Sequence, residues 1–375
     1  MQFKDVVGQK ELKEKLVSTV TDGRVSHAQL FEGAAGYGGL PLALAYAQYI
    51  SCKNKSNDSC GVCPSCIKYN KLIHPDLHFV FPVNTTKKVK DKPVSDNFLT
   101  EWRKIVTDQK YFSEQNWYEC MGIDNKQGNI SAHEADRILS KLNYKPFEAD
   151  NKIMIIWLPE RLNSTSANRL LKLIEEPPKN TVFIFVTENS GNILPTIYSR
   201  TQRIRLHPLT EDDIITSLKE LGFNEKEAFT ASRLSEGDYI KAMQVLQASE
   251  SAKTNFDSFV QFMRMSYQND IPGLLEWAEY MASFGREKQK SFLVFAERLI
   301  RENFILNKKI EDIVYLGYEE LEWARKFSVF INESNVFELY RQLNICIPQI
   351  SQNGNAKIIF ADLALKVKEL IRPNR

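Results

Sequence analysis

The segment that most restricts the fold is a glycine-rich turn, Gly33-Ala34-Ala35-Gly36-Tyr37-Gly38-Gly39-Leu40. The apolar residues 29–31 before it read as a short strand. The Ala/Leu-rich residues 41–50 after it read as a helix, with Pro41 in the first turn, where a missing N–H costs little. A strand, a glycine turn and a helix in this order open a βαβ unit, and the next 170 or so residues repeat the alternation. Residues 77–81, 153–158 and 182–186 are strand-sized apolar runs, and the last two are continuous, as strands buried on both faces must be. Leu12, Leu16, Val17 and Val20 mark one face of an opening helix. Ser131 with Glu134 has capping-box spacing ahead of Ala135, Ile138, Leu139 and Leu142. A further helix through Leu170, Leu171 and Ile174 stops at Pro177-Pro178. The pattern predicts a parallel sheet with helices on both faces.

The alternation lapses between 83 and 127, where Lys87, Lys88, Lys90 and Lys92 precede a stretch carrying Trp102, Tyr111, Phe112, Trp117 and Tyr118. This segment reads as an insertion between sheet elements, with its lysines on a solvated loop. From 209 onward only helical signals appear, first three short ones near 214–221, 228–234 and 240–246. Longer amphipathic ones follow at 259–265, 274–281, 292–304, 321–329, 336–345 and 356–371. Charge divides at the same place. Residues 1–208 hold 28 Lys/Arg against 22 Asp/Glu (+6), and 209–375 hold 21 against 25 (−4), giving the chain's +2. So small a net charge advertises no nucleic-acid or membrane surface. No apolar run approaches the ~18 residues of a membrane span. The first residues show no apolar leader, and a cytoplasmic location is expected.

The glycine turn sits where a phosphate-binding loop, G-x-x-x-x-G-K-[ST], would sit, with Gly33 and Gly38 at the two glycine positions. Its chemistry is missing. Gly39 replaces the lysine that neutralises phosphate charge, and Leu40 replaces the hydroxyl that holds Mg²⁺. An active enzyme of this kind also ends a buried strand on a metal-binding Asp, often followed by a Glu that orients water. Here the strand runs into Trp157 and Leu158, and the first carboxylate is Glu160, beyond Pro159 and expected to point elsewhere. Losses at four separate positions predict that this chain neither holds ATP/Mg²⁺ functionally nor hydrolyses ATP.

Cys52, Cys60, Cys63 and Cys66 follow the spacing C-x₇-C-x₂-C-x₂-C. Four thiolates satisfy tetrahedral Zn²⁺ and leave no open position, so a structural zinc site is expected, with an iron–sulfur cluster as the rival. His74 and His78 lie nearby but are surplus to a filled shell and read as packing residues. Cys120 and Cys346 are isolated thiols.

Phe3-Lys4-Asp5-Val6-Val7-Gly8-Gln9 and Ser26-His27-Ala28-Gln29-Leu30-Phe31 resemble the opening of bacterial clamp-loader AAA+ subunits. The run Asn168-Arg169-Leu170-Leu171-Lys172-Leu173-Ile174-Glu175-Glu176-Pro177-Pro178 is similar to that family's most distinctive helix, and Ser199-Arg200-Thr201 to its Ser-Arg-Cys element. The resemblance spans about 3–208. It implies an α/β AAA+ P-loop-type domain over 1–208, carrying the zinc module at 52–66 and the 83–127 insertion. A helical lid domain at 209–254 and an all-α collar at 255–375 would follow. It further implies that Arg200, placed after the fifth-strand region, serves as an arginine finger in trans to a neighbouring ATPase subunit. Thr187 falls at the family's polar nucleotide sensor, and Ile240, within Ser235-Glu236-Gly237-Asp238-Tyr239-Ile240, at its sensor arginine. The implied partners are the gamma/tau ATPase and delta subunits, with primer-template DNA and the sliding clamp within the complex, and no membrane.

Two other readings compete with a non-hydrolysing subunit. An active gamma/tau-like ATPase with an unconventional P-loop predicts nucleotide binding by the isolated chain. A zinc-dependent DNA-binding module needs a basic zinc region, yet only Lys53, Lys55 and Lys68 supply positive charge between 51 and 68.

Overall fold

The computed structural model describes residues 1–375 apart from 124–125, 248, 311–312, 353 and 372–375, with the backbone alone at 249–252. Positions 124–125 of the predicted insertion, 248 of the predicted lid, and 311–312, 353 and 372–375 of the predicted collar therefore lie outside the described residues. Chain packing separates two compact units. One is Met1–Leu221 with Gly237–Ala242, and the other is Gly222–Glu236 with Met243–Arg375. The short helices expected at 209–254 are divided between them.

In the first unit β1 (Ala28–Glu32), β2 (Leu77–Val80), β3 (Lys152–Trp157), β4 (Thr181–Thr187) and β5 (Gln202–Arg205) form a parallel sheet in the order β2-β3-β4-β1-β5. Leu30 lies opposite Phe185 on one side and Arg203 on the other. Every residue of β1, β3 and β4 is buried, as continuous apolar runs demand of interior parallel strands. Edge strand β5 buries only Ile204.

Alternate side chains serve two cores. Ile153, Ile155 and Trp157 face the layer of α1 (Lys10–Thr21) and α2 (Gly39–Ser51). Met154 and Ile156 face α6 (Ala132–Leu142), α7 (Ser164–Glu175) and the short α8 (Pro195–Tyr198). Helix α2 is buried along its whole length, which explains its Ala/Leu composition and lack of charge. Between it and β2 lies α3 (Pro64–Asn70).

The insertion is integral to the first core. Its helices α4 (Leu99–Asp108) and α5 (Glu114–Met121) bring fully buried Trp102 and Trp117 against Phe81, with ring centroids 4.2 and 5.0 Å away, and Trp102 lies 5.3 Å from Trp157. Lys87, Lys88 and Lys92 are exposed, as expected of a solvated loop.

One local expectation fails. Ser131 stands at the N-cap of α6, but its hydroxyl makes no cap bond. Glu134 turns away, and its Oε2 instead accepts the Ser95 backbone N–H at 2.6 Å. The buried amide at the insertion's edge competes for the carboxylate and wins.

Helix α9 (Glu211–Glu220) and the start of α11 (Tyr239–Gln247) complete the first unit. Among its described residues the second unit has helices and no strand. It contains α10 (Glu225–Leu234), α12 (Ser249–Gln268), α13 (Ile271–Ala282), α14 (Arg286–Asn307), α15 (Tyr318–Phe327), α16 (Val336–Ser351) and α17 (Ala356–Ile371). Phe262 stacks on Trp277 at 4.1 Å, and Phe292 and Phe360 close around them. No helix among the described residues is long and apolar enough to cross a membrane.

Candidate functional site

Parallel sheets of this topology offer a crevice at the carboxyl ends of their strands, where the strand order reverses. The glycine turn leaves β1 at that place. Gly38 takes a left-handed φ of +88° as the N-cap of α2, a conformation that favours glycine. The turn needs its other glycines for close approach: a Cβ on Gly33 would lie 3.0 Å from the Leu206 Cβ, and one on Gly39 3.1 Å from Val186 Cγ1. Within the turn, the Tyr37 and Gly38 amides donate to the Ala34 and Ala35 carbonyls at 2.9 and 3.3 Å. The turn therefore joins strand to helix with two of its amides engaged in the turn itself.

The surroundings oppose a phosphate. The crevice is lined by Gly33, Gly39, Leu40, Trp157 and Val186 together with Tyr111 and Phe112 from the insertion, leaving a cavity of about 10 Å³. That is at most one water's worth of space. Its nearby charges are mostly acidic. Glu188 lines the crevice, and burial, followed by the Glu160, Glu114 and Asp238 carboxylates, pushes its carboxyl up to about 7. Asp238 packs directly on Gly36, where an added Cβ would fall 1.8 Å from its Oδ1. Lys110 also lines the crevice, but its ammonium lies 3.6 Å from the Asp5 carboxylate.

Glu160, expected to point elsewhere, folds back onto the end of β4. It accepts from Thr187 Oγ1 at 3.0 Å and from the Glu188 N–H at 3.2 Å. Pro159 opens a short 3-10 turn that aims it there. Thr187 is buried and committed to this bond. Thus the glycine turn and Trp157 converge as the sequence suggested. Tyr111, Glu188 and Asp238 are contributors that sequence spacing gave no reason to place here.

Arg200 does not line the crevice. It follows α8 and precedes β5, rather than lying beyond the fifth strand as expected. Pro195 starts α8, a helix too short to leave a strong periodic signal. The guanidinium is held on one side. Nε donates to Glu175 Oε1 at 2.5 Å, and Nη1 to the Thr196 carbonyl at 2.9 Å and Ser199 Oγ at 3.3 Å. Among the described residues Nη2 has no hydrogen-bond partner. The side chain as a whole is partly exposed.

At the opposite end of α2 the four cysteines gather. Cys52 is the helix's C-cap and Cys63 the N-cap of α3. Their Sγ atoms all lie within 4.8 Å of one another, with Cys60 and Cys66 at 3.9 Å. Thiolates ~2.3 Å from a tetrahedral Zn²⁺ would sit ~3.8 Å apart, so the donor set fits the ion. Backbone N–H groups of Cys60 and Cys63 donate to the Cys52 and Cys60 sulfurs, both at 3.3 Å, which favours thiolates. Gly61, with φ +74°, turns the chain between Cys60 and Cys63. His74 is buried against Tyr69 at 4.7 Å and contributes packing.

Comparisons with known proteins add a family. A model described as DNA polymerase III, delta subunit, matches residues 8–210. The delta' subunit of DNA polymerase III from Bacillus subtilis is 28% identical over 201 residues, covering 54% of this chain and 48% of that protein. The delta' subunit from Haemophilus influenzae is 26% identical over 270 residues, covering 71% and 70%. A gamma subunit from Buchnera aphidicola is 26% identical over 234 residues, covering 62% and 51%. The chain thus spans about half the length of the Bacillus and Buchnera relatives.

Proposed function

This chain belongs to the DNA polymerase III delta-subunit family, and from that premise we propose that it is a non-hydrolysing AAA+-type clamp-loader subunit of the delta-prime kind. In this reading it assembles with gamma/tau ATPase and delta subunits and helps load a sliding clamp onto primer-template DNA. Its own nucleotide place is inert, and Arg200 completes a neighbour's ATP site. The observation that carries the reading is the crevice beside Gly33–Leu40, where aromatic side chains and carboxylates stand in place of a lysine, a hydroxyl and a metal-binding Asp.

Arg200 suits the role on physical grounds. A guanidinium is always charged and planar, and two of its donors can meet phosphate oxygens together. Anchoring through Nε and Nη1 fixes the direction of Nη2 before a partner arrives, which lowers the ordering cost of engaging a γ-phosphate. Fingers supplied in trans are worth ~10³–10⁵ in rate. The zinc ion, when bound by Cys52, Cys60, Cys63 and Cys66, supplies a cross-link between the end of α2 and α3. With all four positions taken by thiolates it has no open site for chemistry.

The test is reconstitution with the ATPase partners. Arg200→Ala should lower DNA-stimulated ATP turnover of the complex by at least tenfold while assembly, followed by size-exclusion chromatography, is retained. Undiminished turnover in an assembled complex would remove the finger assignment. The gamma/tau-like reading predicts MgATP binding by the purified chain, against which the buried Leu40 and the nearly filled crevice argue.

A further inference from the structure

We propose that Lys110–Tyr111–Phe112 of the insertion is an internal plug that occupies the place of a nucleotide, so that restoring the lost phosphate-loop residues alone would not reopen the site. The inference rests on Gly33–Leu40 being a former phosphate loop and does not depend on Arg200.

Tyr111 touches three segments that are far apart in sequence. Its Oη accepts the Val7 backbone N–H at 2.8 Å. Its ring and hydroxyl press on Gly38, where a Cβ would lie 3.0 Å from Oη and 3.1 Å from Cε1. Its ring lies 4.7 Å from that of Tyr239, at the start of α11. Beside it, Phe112 is buried edge-on to Trp102 and Trp157, with ring centroids 5.8 and 5.4 Å away. Lys110 pairs with Asp5 at 3.6 Å, adding a second stitch to the N-terminal residues.

These contacts differ from those of a loop that happens to cover a cleft. Trp157 stands where the sheet would end in a metal-binding carboxylate, and it is one of the rings that seat Phe112. The plug's floor is thus built from the position whose chemistry was lost. Phe112 is in turn continuous with the stack of Trp102, Phe81 and Trp117, which belongs to the core of the sheet. A triphosphate entering the loop must displace Tyr111 from Gly38 and break its bond with Val7. It must also approach the Asp238 carboxylate packed on Gly36. Like a bound ligand, Tyr111 joins the glycine turn to the segments around it, but it is covalently part of the chain and so always present.

The experiment compares four forms of the full chain: wild type, G39K/L40T, Y111G, and the triple variant G39K/L40T/Y111G. Binding of a fluorescent ATP analogue with Mg²⁺ is titrated, and zinc content with a thermal melt reports folding. The plug predicts no saturable binding by the first three and at least tenfold tighter binding by the triple variant. Equal binding by G39K/L40T and the triple variant would overturn the plug while upholding the loop. No binding by a folded triple variant would overturn both, since an opened and recharged loop should then accept nucleotide.

If the triple variant does not fold, hydrogen exchange of Y111G alone decides. The plug predicts at least tenfold faster exchange at the Val7 amide and across 36–40, with exchange around Cys60–Cys66 unchanged. Unaltered exchange at Val7 and 36–40 would refute it.

Discussion

Helix α2 has a glycine turn at one end and a cysteine cluster at the other, and the two differ in the groups they bring together. At its C-terminal end Cys52 caps the helix and gathers with three more thiols whose sulfurs all lie within 4.8 Å of one another. At its N-terminal end Gly38 makes a left-handed turn between strand and helix, while Gly39, Leu40 and Trp157 offer no lysine, hydroxyl or carboxylate there. The difference follows from what each site is made of. A metal site consists of its donors, so losing one abolishes it. A phosphate loop is mostly backbone, and this backbone also joins β1 to a helix buried on every side. Burial of that helix is by itself a reason for the turn to be kept, whatever groups stand beside it.

The largest effect expected from breaking this contrast lies at the cysteine end. Cys66→Ser, or prolonged chelation, should remove one equivalent of zinc per chain by elemental analysis. It should lower the melting temperature by roughly 10 °C, because metal binding energy is folding energy for the segment it closes. The residues at stake include Tyr69, buried beside Ser51 at the end of α2 with a 2.8 Å hydrogen bond between their hydroxyls. A metal-free chain melting at the wild-type temperature would reduce the module to a loop cross-linked by packing, and the contrast with it.

The same comparison explains what the sequence could disclose. Apolar runs located β1, β3 and β4 within a residue or two, because burial on both faces leaves a local mark. The cysteine spacing located the four thiols that come together for the same reason: all four lie within fifteen residues. The contents of the crevice were not legible. Tyr111 reaches Gly38 across more than seventy positions, and Asp238 reaches Gly36 across two hundred. Nothing in the aromatic pattern of the insertion says which ring turns toward the sheet and which toward the loop. Glu134 shows a milder form of the same problem. Its spacing from Ser131 indicated a cap, but a distant amide took the bond.

Glu134 gives a mid-sized prediction about how the insertion is held. Burial, opposed by the Ser95 N–H and the Lys141 charge, raises its carboxyl to about 7 from 4.5. The folded chain therefore binds this proton more tightly than the unfolded chain. The stabilising contribution is fully present below pH ~4.5 and is lost as pH rises through ~7. The upward move corresponds to at most ~3 kcal/mol. Glu134→Gln, which keeps the shape without the charge, should flatten stability between pH 5 and 8 in urea titrations and make the variant relatively more stable at pH 8. A wild-type pH profile identical to the variant's would mean that the insertion is not anchored through this carboxyl.

The smallest effect separates the two ends of α2 most directly, through a matched pair of glycines. Gly38 and Gly61 both have positive φ, +88° and +74°, so alanine at either should cost ~1–2 kcal/mol from backbone strain alone. Their neighbours differ. At Gly61 a new Cβ meets the Gln2 side-chain amide, which can yield at the loss of its hydrogen bond to the Ser59 carbonyl, whereas at Gly38 it meets Tyr111, which is held by Val7 and Tyr239 and seated in the crevice. Gly38→Ala should therefore be the costlier change by about 1 kcal/mol in urea unfolding, since overpacking against a fixed ring adds to the strain. In a Y111G background that excess should vanish, because the φ strain the two share is then the larger cost at each. If the excess persisted without the ring, its source would be the turn itself. The N-terminal end of α2 would then differ from the other by its backbone, and not by what the insertion has put there.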